Sequence, residues 1–195
     1  MANLTTVFVV RHGRTALNAQ GRYRGLDDPP LDDVGREQAE EAAQRIRDRS
    51  IRAVEHSPLL RAAQTAASIA RVADVEPAVN EGLVDLDHGA WTALTPEEAE
   101  ALAPEAFRRF RDDPRTCTPP GGEPLAEVER RVIEALDDLG RRFPRGEVVA
   151  VSHEIPIRLL VSRLRGLDGA TIWELPLGTG SVTTVVGGPG SWRLG

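Results

Sequence analysis

The chain has 195 residues and a formal net charge of −6, with 24 basic against 30 acidic side chains, a balance opposed to the basic footprint of a nucleic-acid binder. Its one cysteine, Cys117, excludes an internal disulfide and fits a reducing compartment. No apolar run approaches the roughly 18 residues of a membrane span, and no basic-then-apolar leader precedes the first strand, so a cytoplasmic protein without a membrane partner is expected.

The first element is the apolar, β-branched run Thr6-Val7-Phe8-Val9-Val10, read as a strand covered on both faces. Asp32 or Asp33 then caps a helix to about Arg49, with Ala39, Ala42, Ala43 and Ile46 as its apolar stripe. Ala53 to His56 is a short strand, and the alanine-rich Pro58 to Ala73 is a helix with proline near its first turn. Thr95-Pro96-Glu97-Glu98 is a capping box that opens a short helix. Leu125, Val128, Val132, Leu136 and Leu139 mark a long amphipathic helix ending near Gly140. Glu147 to Val151 is a buried strand, Ile155 to Arg165 a helix and Ser181 to Val186 a last strand. Strands alternating with helices imply βαβ units, and hence an α/β fold with a largely parallel sheet and helices on both faces. Residues 1–195 are read as one domain, and the proline-interrupted stretch at about 92–123 as an insertion covering the ligand crevice.

The first strand runs straight into Arg11-His12-Gly13-Arg14-Thr15-Ala16-Leu17-Asn18. Open α/β sheets place ligands beyond the carboxyl ends of their strands. Guanidinium offers a planar fork of donors for phosphate or carboxylate, imidazole is a nucleophile or proton carrier near neutral pH, and Gly13 lets backbone approach an anion. The second buried strand ends the same way, at Ser152-His153.

Gly21-Arg22-Tyr23-Arg24-Gly25 and Asp27-Asp28-Pro29-Pro30-Leu31 continue the first motif. His56-Ser57-Pro58-Leu59-Leu60-Arg61-Ala62-Ala63-Gln64-Thr65-Ala66, then Leu83-Val84-Asp85-Leu86-Asp87-His88-Gly89-Ala90-Trp91, then Pro120-Gly121-Gly122-Glu123 follow in order. In these segments and their order the chain resembles the histidine phosphatase superfamily, the phosphoglycerate mutase-like proteins, from about residue 6 to Trp192.

The resemblance implies a three-layer α-β-α sandwich with a mostly parallel central sheet. It also implies a metal-independent phosphomonoesterase working through a phosphohistidine on a small phosphorylated metabolite, such as a sugar phosphate or phosphoglycerate-like compound, with no cofactor. His12 is then the nucleophile, its other ring nitrogen fixed by an acceptor such as a backbone carbonyl near Gly13, while Arg11, Arg61 and His153 neutralise the phosphoryl oxygens. Asp85 stands where the family usually has Glu as proton donor, with Glu81 and Asp87 as alternatives, and burial beside the substrate dianion is expected to raise the acid's pKa. Asn18, Arg24, Gly25, Thr15 and Glu154 are the expected substrate-binding residues, although Glu154 replaces a small residue of the family pattern. His56 and His88 also depart from it and are read as structural, with a pocket role as the alternative, and Trp91 as core.

Two other readings stay open. A phosphoglycerate mutase would use the same catalytic set, but Leu86-Asp87-His88-Gly89 and Pro96 occupy positions where mutases carry substrate-gripping Arg and Lys. A catalytically silent phospho-ligand binding module is favoured only by the Asp85 and Glu154 departures. The four histidines lack close metal-ligand spacing, so no metal is expected. The assembly considered is a homodimer.

Overall fold

In the computed structural model, which describes residues 4–195, the elements run β1 (Thr5–Arg11), α1 (Ala16–Ala19), α2 (Asp33–Ile46), β2 (Ile51–His56), α3 (Leu60–Ala73) and β3 (Pro77–Val79). Then come α4 (Pro96–Leu102), α5 (Pro104–Asp112), α6 (Leu125–Arg142), β4 (Glu147–Ser152), α7 (Glu154–Arg165), β5 (Val182–Gly188) and β6 (Ser191–Leu194). The six strands form one sheet in the order β3-β2-β4-β1-β5-β6. β3, β2, β4 and β1 are parallel, β5 runs antiparallel to β1, and β6 returns antiparallel to β5.

Alternation along the central strands decides the layering, because successive side chains of a strand point to opposite faces. Val7, Val9, Val148, Ala150 and Val185 face Val132, Leu136 and Leu139 of α6 and Ile157 and Leu160 of α7. Phe8, Val10, Val149 and Val151 face Ala42, Ala43 and Ile46 of α2 and Ala62, Ala66 and Ile69 of α3. Each fully buried Val, Leu or Ile contributes about 1.5–3 kcal/mol relative to exposure. The alanines of α2 and α3 bury less surface each but let these two helices and the sheet approach closely. A third cluster lies beyond the sheet, where Trp91, Phe107, Phe110 and Ile172 pack on Leu125, Val128, Ile155 and Leu159. It holds α4 and α5 against the starts of α6 and α7.

Several boundaries differ from the sequence expectation for physical reasons. α2 is capped by Asp32, whose carboxylate accepts from Gly35 N–H at 2.8 Å. α3 starts at Leu60, past Pro58, with no side-chain cap. α6 continues through Gly140 to Arg142, because the glycine makes room for Trp192: an added Cβ would sit 3.0 Å from the indole. β5 begins at Val182, and the β5–β6 hairpin turns at Gly190, whose φ of 73° suits glycine.

Candidate active site

Register brings the two histidine motifs together. β1 and β4 pair in parallel with Arg11 opposite Ser152, so the next residues, His12 and His153, leave adjacent strand ends side by side. Their ring centroids are 5.0 Å apart. β2 flanks β4 on its other side and delivers Ser57, whose N–H donates to Val151 O at 3.0 Å. α3 then carries Arg61 to the same point. His12, Arg61, His153 and Asp85 are all buried.

The hydrogen-bond partners define the imidazoles. His12 Nδ1 lies 2.6 Å from Gly13 O, an acceptor only, so Nδ1 carries the proton, as the sequence led one to expect. Nε2 is left as a buried lone pair without a partner. Burial, reinforced by the charges of Arg61 and Arg24, holds the His12 pKa well below its ordinary value, so the ring is neutral. Arg61 Nε–H can only donate, so His153 Nδ1 accepts at 3.2 Å and its Nε2–H donates to Ser57 Oγ at 2.7 Å. His153 is held neutral by burial and by Arg61 and Arg24. The loop itself is fixed by backbone packing: Gly13 N–H donates to Thr65 Oγ1 at 3.1 Å, and an added Cβ on Gly13 would stand 2.2 Å from Gly35 O.

Among the three candidate acids, Asp85 is the one turned into this cluster. Its Oδ2 meets Arg61 Nη2 at 3.0 Å and lies 3.6 Å from His153 Nδ1. Glu81 is exposed, and Asp87 is used to accept Gly89 N–H at 2.8 Å. Burial does push the Asp85 pKa upward, but Arg61 and Arg24, with smaller contributions from His88 and His12, outweigh it. The carboxyl is therefore held below its ordinary value, opposite to the direction expected from burial alone. Arg61 uses its remaining donors on Asp27 O at 2.7 Å and Gly25 O at 2.9 Å. Arg131, assigned no role from the sequence, grips the Asp85 segment from α6. It donates to Val84 O at 2.6 Å and to Asp85 O at 2.9 Å, and is itself held by both oxygens of Glu123.

A cavity of about 420 Å³, linked to this cluster through Arg11 and Arg24, is bounded by Arg11, Asn18, Arg24, Glu154 and an aromatic wall; His12, Arg61, Asp85 and His153 do not line it. Glu154, first residue of α7, meets Arg11 at 2.6 Å, Arg24 at 3.4 Å and Arg158 at 3.1 Å. Thr15 does not line the cavity: it caps α1, with its hydroxyl 2.9 Å from Asn18 Oδ1. Gly25, at φ +52°, holds Arg61 through its carbonyl and also stays out of the lining. His56 is fixed on Ser57 O at 2.7 Å. His88 lines the cavity, the alternative kept open for it from the sequence. Trp91 is core, as expected. Counting Arg11, Arg24, Arg61 and Arg158 against Asp85 and Glu154 leaves an excess of two positive charges, a match for a phosphomonoester dianion. Among the described residues no three His, Cys, Asp or Glu side chains are grouped to hold a metal ion, and no helix is long and apolar enough to cross a membrane.

The family model of the histidine phosphatase superfamily (branch 1) matches residues 7–195, and the chain belongs to that superfamily. It is 33% identical over 182 residues to phosphoserine phosphatase 1 of Hydrogenobacter thermophilus, covering 93% of this chain and 86% of that one. A bifunctional protein of Mycobacterium tuberculosis is 37% identical over 180 residues, which are 92% of this chain and 49% of that protein. The solved structure of Bacillus stearothermophilus YhfR superposes with a TM-score of 0.90 at 27% identity, covering 97% of this chain and 95% of that one.

Proposed function

We infer that the protein is a phosphomonoesterase that hydrolyses a small phosphorylated metabolite through a phosphohistidine on His12. The observation that carries this reading is the unpartnered, buried Nε2 of a neutral His12, held on the far side by Gly13 O and ringed by Arg11, Arg61 and His153. The Nε2 lone pair attacks phosphorus, and the N–P bond forms as the P–O bond to the alcohol breaks. Arg11, Arg24 and Arg61 take up the charge on the phosphoryl oxygens. The departing alkoxide needs a proton, and Asp85 is the buried carboxyl beside the reacting atoms.

Asp85 is a carboxylate in the free protein because the arginines hold it so. A phosphate group on those same arginines offsets their charge and shifts the carboxyl toward protonation, and a substrate bound as its monoanion brings the proton with it. Asp85 passes this proton to the alkoxide, then accepts one from the water that attacks the phosphohistidine. That second attack breaks the N–P bond, releases phosphate and restores neutral His12. Leu86 is core and offers no cation where a mutase would grip the carboxylate of a returning product, which favours release over re-transfer.

His12→Ala is expected to abolish phosphate release, and wild type quenched in alkali during turnover is expected to carry acid-labile phosphate on His12. Phosphate on an aspartate, or loss of activity with a chelator, would overturn the mechanism.

A further inference from the structure

The wall of the cavity is more apolar than a small acidic metabolite calls for. Tyr23 from the loop before α2, Phe107 and Phe110 from α5 and Trp173 from the 3-10 turn Gly169–Glu174 converge on it, beside Ile155 of α7. They form a continuous surface: Tyr23 meets Phe110 edge-on at 6.0 Å between centroids, and Phe110 meets Trp173 at 4.7 Å. Tyr23 and Trp173 pack against the third core cluster but are only partly buried, and both line the cavity. Trp173 is fixed from behind, its Nε1–H donating to Arg111 O at 2.9 Å and its ring lying under the Arg158 guanidinium at 5.6 Å.

The polar groups of this wall do not suit a carboxylate. His88 stacks on Tyr23 at 4.8 Å, places its Nδ1 on Leu86 O at 3.2 Å and leaves Nε2, an acceptor, buried without a partner. Glu154 adds a negative charge at the junction with the phosphate site. The two arginines at the rim are turned to other partners, Arg22 to Glu98 at 2.6 Å and Arg111 to Asp112 at 2.8 Å. A volume of about 420 Å³ falls in the range of roughly 300–1,000 Å³ that encloses a ligand larger than a three-carbon acid.

We propose that the alcohol released by this enzyme carries a planar, uncharged ring, seated against Tyr23, Phe107, Phe110 and Trp173 while the ester phosphate lies on Arg11 and Arg24 above His12. The proposal rests on the phosphomonoesterase reading and names its substrate class. Ring stacking and loss of apolar surface from water supply the preference. The reaction that furnishes the substrate is then a phosphorylation of a ring-bearing alcohol, or a condensation that leaves such an alcohol phosphorylated.

The test compares 2-phenylethyl phosphate with ethyl phosphate, two primary alkyl esters of similar leaving-group basicity, so that their ratio reads the ring and not the chemistry. We expect kcat/KM for the ring ester to exceed that for ethyl phosphate, O-phosphoserine and 3-phosphoglycerate by at least about tenfold. Trp173→Leu is expected to shrink the first ratio to about threefold or less. Calorimetry of wild type with the matching 2-phenylethyl and ethyl phosphonates needs neither turnover nor a variant that folds, and the ring compound is expected to bind at least about tenfold more tightly. Equal affinities, or a preference for the carboxylated esters, overturn the ring assignment while leaving the hydrolase intact. Absence of hydrolysis of every ester with selective binding of the ring phosphonate overturns the hydrolase reading and leaves the ring assignment standing.

Discussion

Asp85 is one carbon shorter than the glutamate usual in the superfamily, yet it is the carboxyl that reaches His153 and Arg61. If it protonates the alkoxide, Asp85→Asn lowers kcat for an alkyl phosphate by about 10²-fold or more and affects p-nitrophenyl phosphate, whose leaving group needs little protonation, far less. Equal losses on both substrates would make Asp85 a binding residue. Arg61 poses the complementary question, since four of its five N–H donors go to Asp85, His153, Gly25 and Asp27. Lysine keeps the charge but cannot span those acceptors. Arg61→Lys is therefore expected to lower kcat by at least about 10²-fold and to weaken vanadate binding. Near-normal turnover would place Arg61 outside the reacting cluster.

Between elements, the contact that aims Asp85 is made by α6. Arg131 joins this helix to the carbonyls of Gly82, Val84 and Asp85, and Glu123 fixes its fork. Arg131→Lys is expected to reproduce the Asp85→Asn signature in weaker form, about tenfold for alkyl esters with p-nitrophenyl phosphate nearly unchanged. A uniform loss on both substrates would reduce Arg131 to a structural brace. The strand-to-histidine junctions, the capping box of α4 and the apolar stripes of α2 and α6 were legible in the sequence because each is a local pattern. β3 was not, being three residues that begin with Pro77, nor was β6, a short edge strand after the Gly190 turn. The aromatic wall was missed for another reason: Phe107 and Phe110 do stand three apart on α5, but that short helix lies in the stretch read as an insertion, and Trp173 sits in a 3-10 turn without a helical period. What the sequence did not show is that, with no dianion bound, Arg61 and Arg24 outweigh burial and hold the Asp85 carboxyl below its ordinary value.

Across the whole molecule, the buried histidines tie stability to pH. His12, His153 and His88 have pKa values held below the ordinary 6.5, first of all by burial. The unfolded chain thus binds protons below about pH 6.5 that the folded protein refuses, so stability is complete above that value and declines as the pH falls. Each proton of difference is worth about 1.4 kcal/mol per pH unit, and Asp85 and Glu154, both held below their ordinary values, add to the loss at lower pH. The thermal midpoint is expected to drop from about pH 7.5 to about pH 5.5 and to drop less in His12→Asn. An unchanged midpoint over that range would mean that the imidazoles are not held neutral.

The place of β1 in the sheet carries a different consequence. Both of its neighbours, β4 and β5, come from the last quarter of the chain. A nascent polypeptide emerging from the ribosome can close α2 on α3 early, but its first strand has no hydrogen-bonding partner until β4 arrives, and His12 meets His153 only then. Catalytic competence is thus withheld until synthesis is nearly finished, and a chain interrupted before Glu147 would lack a working centre however well its earlier helices had formed.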